Sequence, residues 1–271
     1  MARFRHRLIV VPVPRRWFEA YVLMLHELAE SVRAGPDGVP RLPDGRVVPG
    51  LRMAHGESAR PGTRYEAQPE ADGSRVALLV EEWQRASATA VRLDLRSADG
   101  AALSGTVRLV SARRPGTLRI DGDLTAPGRA SALRRATGTL RVDLAAWWAA
   151  ADRRRGVRGG PAPVTCAVDH RLARAVIRVT PRRTASGRME LTCSLSVRGR
   201  AWARPLAAPA LLLARRRVRR ELASALEQLA AGWNREVPAV LRKDAARLRA
   251  ELTQALLRAP EAADGADGAA T

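Results

Sequence analysis

The stretch GTVRLVSARRPGTLRI, residues 105–120, decides how the middle of this chain is read. It holds two near-copies of one phrase, GTVRL and GTLRI, and a third, GTLRV, follows at 138–142. Each phrase sets an arginine between two aliphatic residues. Successive side chains of an extended strand point to opposite faces. Val107 and Leu109 therefore share one face, and Thr106 and Arg108 the other. The same split sets Leu118 and Ile120 against Thr117 and Arg119, and Leu140 and Val142 against Thr139 and Arg141. The phrases read as strands of a sheet with one aliphatic face and one Thr/Arg face.

Outward from these phrases the period of two continues. RVALLVEEW (75–83), TAVRLDL (89–95), GTLRIDGDL (116–124) and GTLRVDL (138–144) are short segments separated by turn residues. Their connections leave no room for crossover helices, so they predict antiparallel hairpins or a meander. FRHRLIVVPV (4–13) predicts a strand with Phe4, His6, Leu8 and Val10 on one face, broken by Pro14. Trp17, Tyr21, Met24, Leu28 and Val32 then recur at helical spacing, and Gly35-Pro36 ends that helix. Residues 35–63, rich in Gly and Pro with two Asp-Gly turns, read as a loop or lid with a short extended piece at Arg46–Val48.

Further on, 143–155 predicts a short helix with Leu144, Trp147, Trp148 and Ala151 on one side, and 156–163 a linker. Residues 164–180 and 189–202 read as two more strand regions, with the hairpin turn TASG (184–187) between them. Val218, Leu222, Leu226, Leu229 and Trp233 stripe a C-terminal helix; Asn234 and Pro238 read as its break. Leu241, Ala245, Leu248, Leu252 and Leu256 stripe an extra helix over 238–258, and the acidic, small-residue stretch 259–271 reads as a disordered tail. The whole of 1–258 reads as a single α+β domain.

Hydrophobic residues make up 46% of the chain, which excludes a disordered polymer. The net charge is +20, with 47 basic against 27 acidic residues, and Lys243 is the only lysine. Such an excess favours nucleic acid, an anionic surface or an acidic protein partner, although the arginines are spread over the whole chain. The apolar run after the first arginines is too short for a signal peptide, and no segment reaches the ~18 apolar residues of a membrane span. With only Cys166 and Cys193, the chain reads as cytoplasmic with reduced thiols.

Catalytic and metal motifs are largely missing. His6, His26, His55 and His170 are scattered, and neither HExxH nor CxxC occurs. His26-Glu27 with Glu30 has the wrong order for a zinc protease, and no phosphate loop or GxSxG is present. No metal and no cofactor is therefore expected. Asp169 and His170 are neighbours on a strand, so they point to opposite faces and form no dyad. His170 alone remains a candidate acid, base or ligand contact. Trp83 and Trp202, in or near strands, are candidates to line a cavity or stack on a flat ligand, whereas Trp17 and Trp233 read as core. The run ARRRVRRELASALEQL (214–229) begins an amphipathic helix with an arginine collar. Arg92, Arg108, Arg119 and Arg141 form an anion-binding stripe if the repeats pair in matching register; otherwise they are the wet side of a sheet.

The two ends, RLIVVPVPRRWFEAYVLM (7–24) and VRGRAWARPLAAPALLLARRRVRRELASALEQLAAGW (197–233), resemble the START/polyketide-cyclase-like superfamily. Its members carry a strand, a proline-marked turn and an aromatic-led helix at the start, and a strand, a glycine and a long helix at the end. The resemblance implies a helix-grip fold, in which a curved antiparallel sheet wraps a long C-terminal helix. Extra strands and the helix at 238–258 expand that fold here. It also implies a cavity for a hydrophobic or amphipathic small molecule, with cyclisation of a substrate as a possible extension. On that reading Trp83, His170, Trp202, Leu222 and Leu226 line the site. Two other readings stand beside it: a basic nucleic-acid-binding or scaffold protein using the arginine face, and a subunit that oligomerises through 238–258.

Overall fold

The fold is taken from a computed structural model that describes residues 2–67, 73–128, 134–152, 161–200 and 204–258, with side chains in the last segment from 216 onward. The chain opens with β1 (Ala2–Val10), α1 (Arg15–Ser31) and the short pieces β2 (Arg33–Ala34) and β3 (Pro40–Arg41). There follow β4 (Leu51–His55), β5 (Arg64–Ala67), β6 (Arg75–Trp83), β7 (Ala88–Arg96), β8 (Ala102–Val110), β9 (Thr117–Thr125) and β10 (Arg135–Asp143). The chain closes with α2 (Leu144–Asp152), β11 (Val164–His170), β12 (Ala173–Arg183), β13 (Met189–Gly199), α3 (Arg204–Leu241) and α4 (Ala245–Leu257).

Among the described residues eleven strands form one antiparallel sheet in the order β1-β13-β12-β11-β10-β9-β8-β7-β6-β5-β4. From β4 to β13 each strand pairs with its neighbour in sequence, as the short turns require. The exception is β1, which pairs with β13 along its whole length, Ala2 opposite Val197 and Val10 opposite Met189. The fold is therefore α+β, a large antiparallel sheet with a C-terminal helix pair.

Register sorts the side chains as the alternation predicted. One inner row runs His6, Cys193, Val179, Val164, Val142, Leu118, Leu109 and Thr89 across eight strands. The helices cover this face: α2 packs on β9, β10 and β12, and α3 on β1 and β13. A bulge between Val80 and Glu82 shifts β6 by one residue, so that Val80 and Trp83 both face the helices while Glu82 faces out. Without that extra residue Trp83 would point to solvent.

Two expectations are corrected, at 164–180 and at the end of α3, and the loop over 35–63 is filled in. The region 164–180 is a hairpin, β11 and β12 joined at Arg171–Leu172, rather than one strand. The loop over 35–63 contains β3, β4 and a bridge between Arg41 and Val47, and it buries Pro40, Leu42, Val48 and Thr63. The helix break at Asn234 and Pro238 does not occur; α3 runs on to Leu241. The Asn234 side chain is occupied elsewhere, so it does not compete with its own helix backbone. Pro238 lies near the helix end and forfeits one intrahelical bond. The turn comes instead at 242–244, where the Asp244 carboxylate accepts from Arg247 N at 2.7 Å and caps α4.

Candidate functional site

An apolar cavity of about 410 Å³ lies between the sheet, α2 and α3. Its floor is built from Leu8 and Val10 of β1, Val142 of β10, Val164, Val179, and Met189, Leu191 and Cys193 of β13. Trp147 and Trp148 of α2 and Phe18 of α1 form one wall; Leu226, Leu229, Ala230 and Trp233 of α3 form the other. Leu229 and Trp233 stand at the mouth, 70% and 44% exposed. A volume in this range suits a small ligand.

Each wall has a local cause. Asp143 caps α2 by accepting from Ala146 N at 2.8 Å, which swings Trp147 and Trp148 onto the sheet. Trp148 tilts against Phe18 with ring centres 5.4 Å apart. β1 is an edge strand, and Asn234 pairs with its free backbone: Val11 N donates to Asn234 Oδ1 at 2.8 Å, and Asn234 Nδ2 donates to Ile9 O at 2.8 Å. The Trp233 indole N–H donates to Val11 O at 2.9 Å. These three bonds lock α3 to the rim of the cavity and blunt the exposed edge.

Cys193 is the ionisable group in this lining. Burial pushes its thiol above the ordinary value, so it stays protonated and behaves as a small apolar side chain. Cys166 also faces the helices, but two strands away and one row over, roughly 10 Å across the sheet at ~4.8 Å per strand.

A second apolar cavity, about 530 Å³, sits at the other end of the sheet between α1, α4 and β4–β7. Trp83, Tyr65 and Leu252 line it. A polar network borders it: His26 is 5% exposed, its ring 4.4 Å from that of Trp83. Its Nε2 lies 3.1 Å from Thr89 Oγ1, and its Nδ1 3.1 Å from Glu30 Oε1. Glu30 also accepts from Trp83 Nε1 at 3.2 Å and pairs with Arg85. The Arg85 guanidinium holds the Glu30 carboxyl below its usual range, and burial lowers His26 below its ordinary value. The stripe of α4 is used within its own chain: Leu248 is buried, and Arg249 Nη2 donates to Glu27 Oε2 at 3.0 Å on α1.

The residues singled out from sequence fall in different places. Leu226 lines the first cavity and Trp83 the second, while Leu222 lies one turn before Leu226, half-buried and outside the lining. His170 is the last residue of β11, and its Nδ1 accepts from Leu172 N at 3.2 Å. That is the far end of the strand whose first residue, Val164, lines the cavity. Trp202 lies outside the described residues. Trp147 and Trp148 were legible as one side of a helix, but nothing in their spacing tied them to β10–β13.

Arg108, Arg119 and Arg141 are direct cross-strand partners, while Arg92 is offset, opposite Thr106. Antiparallel pairing keeps the arginines on one face, but a slip by two residues keeps that face too, so Arg92 misses the alignment that the other three share. Three of the four are neutralised: Arg92 by Asp94 at 3.2 Å, Arg119 by Asp121 at 2.6 Å, and Arg108 by Glu82. Arg119 holds the Asp121 carboxyl below its usual range. An R-x-D pattern on the strands announces two of these pairs. It recurs at Arg141 and Asp143, but there Asp143 caps α2, and Arg141 has no acidic partner among the described residues.

No family model matches the chain, and no curated protein matches it. The crystal structure of DynU16, a protein of the dynemicin biosynthetic locus, is similar at a TM-score of 0.20 and 13% identity, over 74% of this chain and 87% of that one. No helix among the described residues is long and apolar enough to cross a membrane.

Proposed function

We propose that the protein binds a hydrophobic or amphipathic small molecule in the cavity between the sheet and α3. The observation that carries this reading is the lining itself: tryptophans and aliphatic side chains from five strands and three helices surround one concave space. The element order of the helix-grip fold, read from the two ends of the sequence, supports the same reading. Aromatic walls favour a ligand with a flat or unsaturated body. Among the described residues the lining supplies no carboxylate or imidazole, so the reading is of binding and positioning, with no residue assigned to acid–base chemistry.

The test uses the fluorescent apolar probe N-phenylnaphthylamine with the full chain. A ligand of this size in such a pocket is expected to bind with Kd on the order of 10–100 μM. Ala230→Phe projects a ring into the cavity and is expected to weaken the probe by at least roughly tenfold, at 1.4 kcal/mol per decade, without unfolding the protein. Unchanged affinity in a folded Ala230→Phe variant would overturn the proposal. Native mass spectrometry of the purified protein then reads any ligand that it retains.

A further inference from the structure

The face of the sheet turned away from the helices carries its charges unevenly. Across β9, β8 and β7 the arginines are matched by Asp121, Glu82 and Asp94. Across β1, β13, β12, β11 and β10 the outer ends of the strands carry ion pairs, Arg135 with Asp123 among them, but the middle of the face does not. One cross-strand row there runs Arg5, Ser194, Arg178, Thr165, Arg141. Arg119 and Arg108 continue the same row. Arg3 and Arg7 flank Arg5 along β1, opposite Ser196 and Thr192. All of these arginines are exposed. Among the described residues Arg3, Arg5, Arg7, Arg141 and Arg178 have no ion pair. The acids on this half are engaged: Asp169 with Arg174 and Arg200, Glu190 with Arg182, and Asp143 with the α2 backbone.

We infer that this outer face, centred on Arg5, Arg178 and Arg141, binds the phosphodiester backbone of a duplex nucleic acid without reading its sequence. The unpaired part of the row, Arg5 to Arg141, crosses five strands, about 19 Å at ~4.8 Å per strand, which matches five or six base pairs at ~3.4 Å each. A linear row suits a rod-like polyanion. Thr165 stands between Arg178 and Arg141, and Thr192 beside Arg7, each with a hydroxyl to offer, and arginine with Ser/Thr is the usual combination at phosphates. The outward positions of β1 and β10–β13 carry no aromatic side chain on which a single strand could stack its bases, and no described helix lies on this face to enter a groove. The surface lies on the other side of the sheet from the proposed ligand cavity and is independent of it.

The experiment is fluorescence anisotropy of a labelled random-sequence duplex of about twenty base pairs with the full chain, from 50 to 200 mM salt. Five arginines on five phosphates give a slope of log K against log[salt] near −4.5, about a 500-fold loss over that fourfold range. The triple variant Arg5→Gln, Arg141→Gln, Arg178→Gln is expected to cut the slope to about −1.8, roughly a 12-fold loss. A control with the same net charge, Arg216→Gln, Arg219→Gln, Arg220→Gln on exposed positions of α3, keeps the original slope. Equal losses in the two triple variants would assign the effect to diffuse charge and overturn the inference. So would no duplex binding at 50 mM salt, or binding to phosphatidylglycerol vesicles without binding to duplex. None of these readings depends on the cavity probe.

Discussion

Replacing Asn234 by alanine removes two hydrogen bonds that tie α3 to the edge of β1, both 2.8 Å long. Each is worth about 0.5–1.5 kcal/mol net, so their joint loss costs roughly 2 kcal/mol. Alanine recovers about 0.6 kcal/mol of helix propensity, leaving a net destabilisation of about 1–2 kcal/mol. For a chain of this size that lowers Tm by about 2–8 °C. Urea unfolding gives the free energy, and amide exchange at Val11 gives the local effect, since its N–H loses its acceptor. Asn234→Asp sharpens the test: it keeps an acceptor for Val11 N but sets a carboxylate oxygen against the Ile9 carbonyl. The aspartate is expected to cost at least as much as the alanine. A silent Asn234→Asp, or Val11 exchange unchanged in Asn234→Ala, would refute the idea that this amide acts as a substitute strand for the edge of β1.

Two further outcomes can be checked. Burial, opposed in part by the Glu30 carboxylate, lowers His26 below its ordinary value, so the unfolded chain takes up this proton more readily than the fold does. Stability from this group is complete above about pH 6.5 and falls as pH drops through the lower folded value; a His26→Asn variant is expected to show a flatter urea-midpoint profile between pH 7.5 and 5, and an identical profile would count against the buried network. Asp244→Ala removes the cap of α4 and is expected to cost about 1 kcal/mol. The loss should read as faster amide exchange over 245–257, with little change elsewhere.

Most strands of the central meander, their aliphatic and Thr/Arg faces and the apolar stripe of α3 were legible in the sequence, because these follow from local periodicity and short connections. The register of the arginine phrases was left open by the sequence; pairing placed Arg108, Arg119 and Arg141 together but set Arg92 opposite Thr106. The cavity was a different matter. It exists because β1 returns to lie beside β13, because Asn234 finds the edge of β1 more than 220 residues away, and because α2 tips two tryptophans onto strands on either side of it. The same holds for Trp83, turned inward by one bulged residue, and for Arg141, without an acidic partner among the described residues because Asp143 caps a helix instead. Each is a competition for a partner far along the chain. Alternation and propensity describe which groups a residue can offer; only the assembled sheet and its helices decide which partner accepts them.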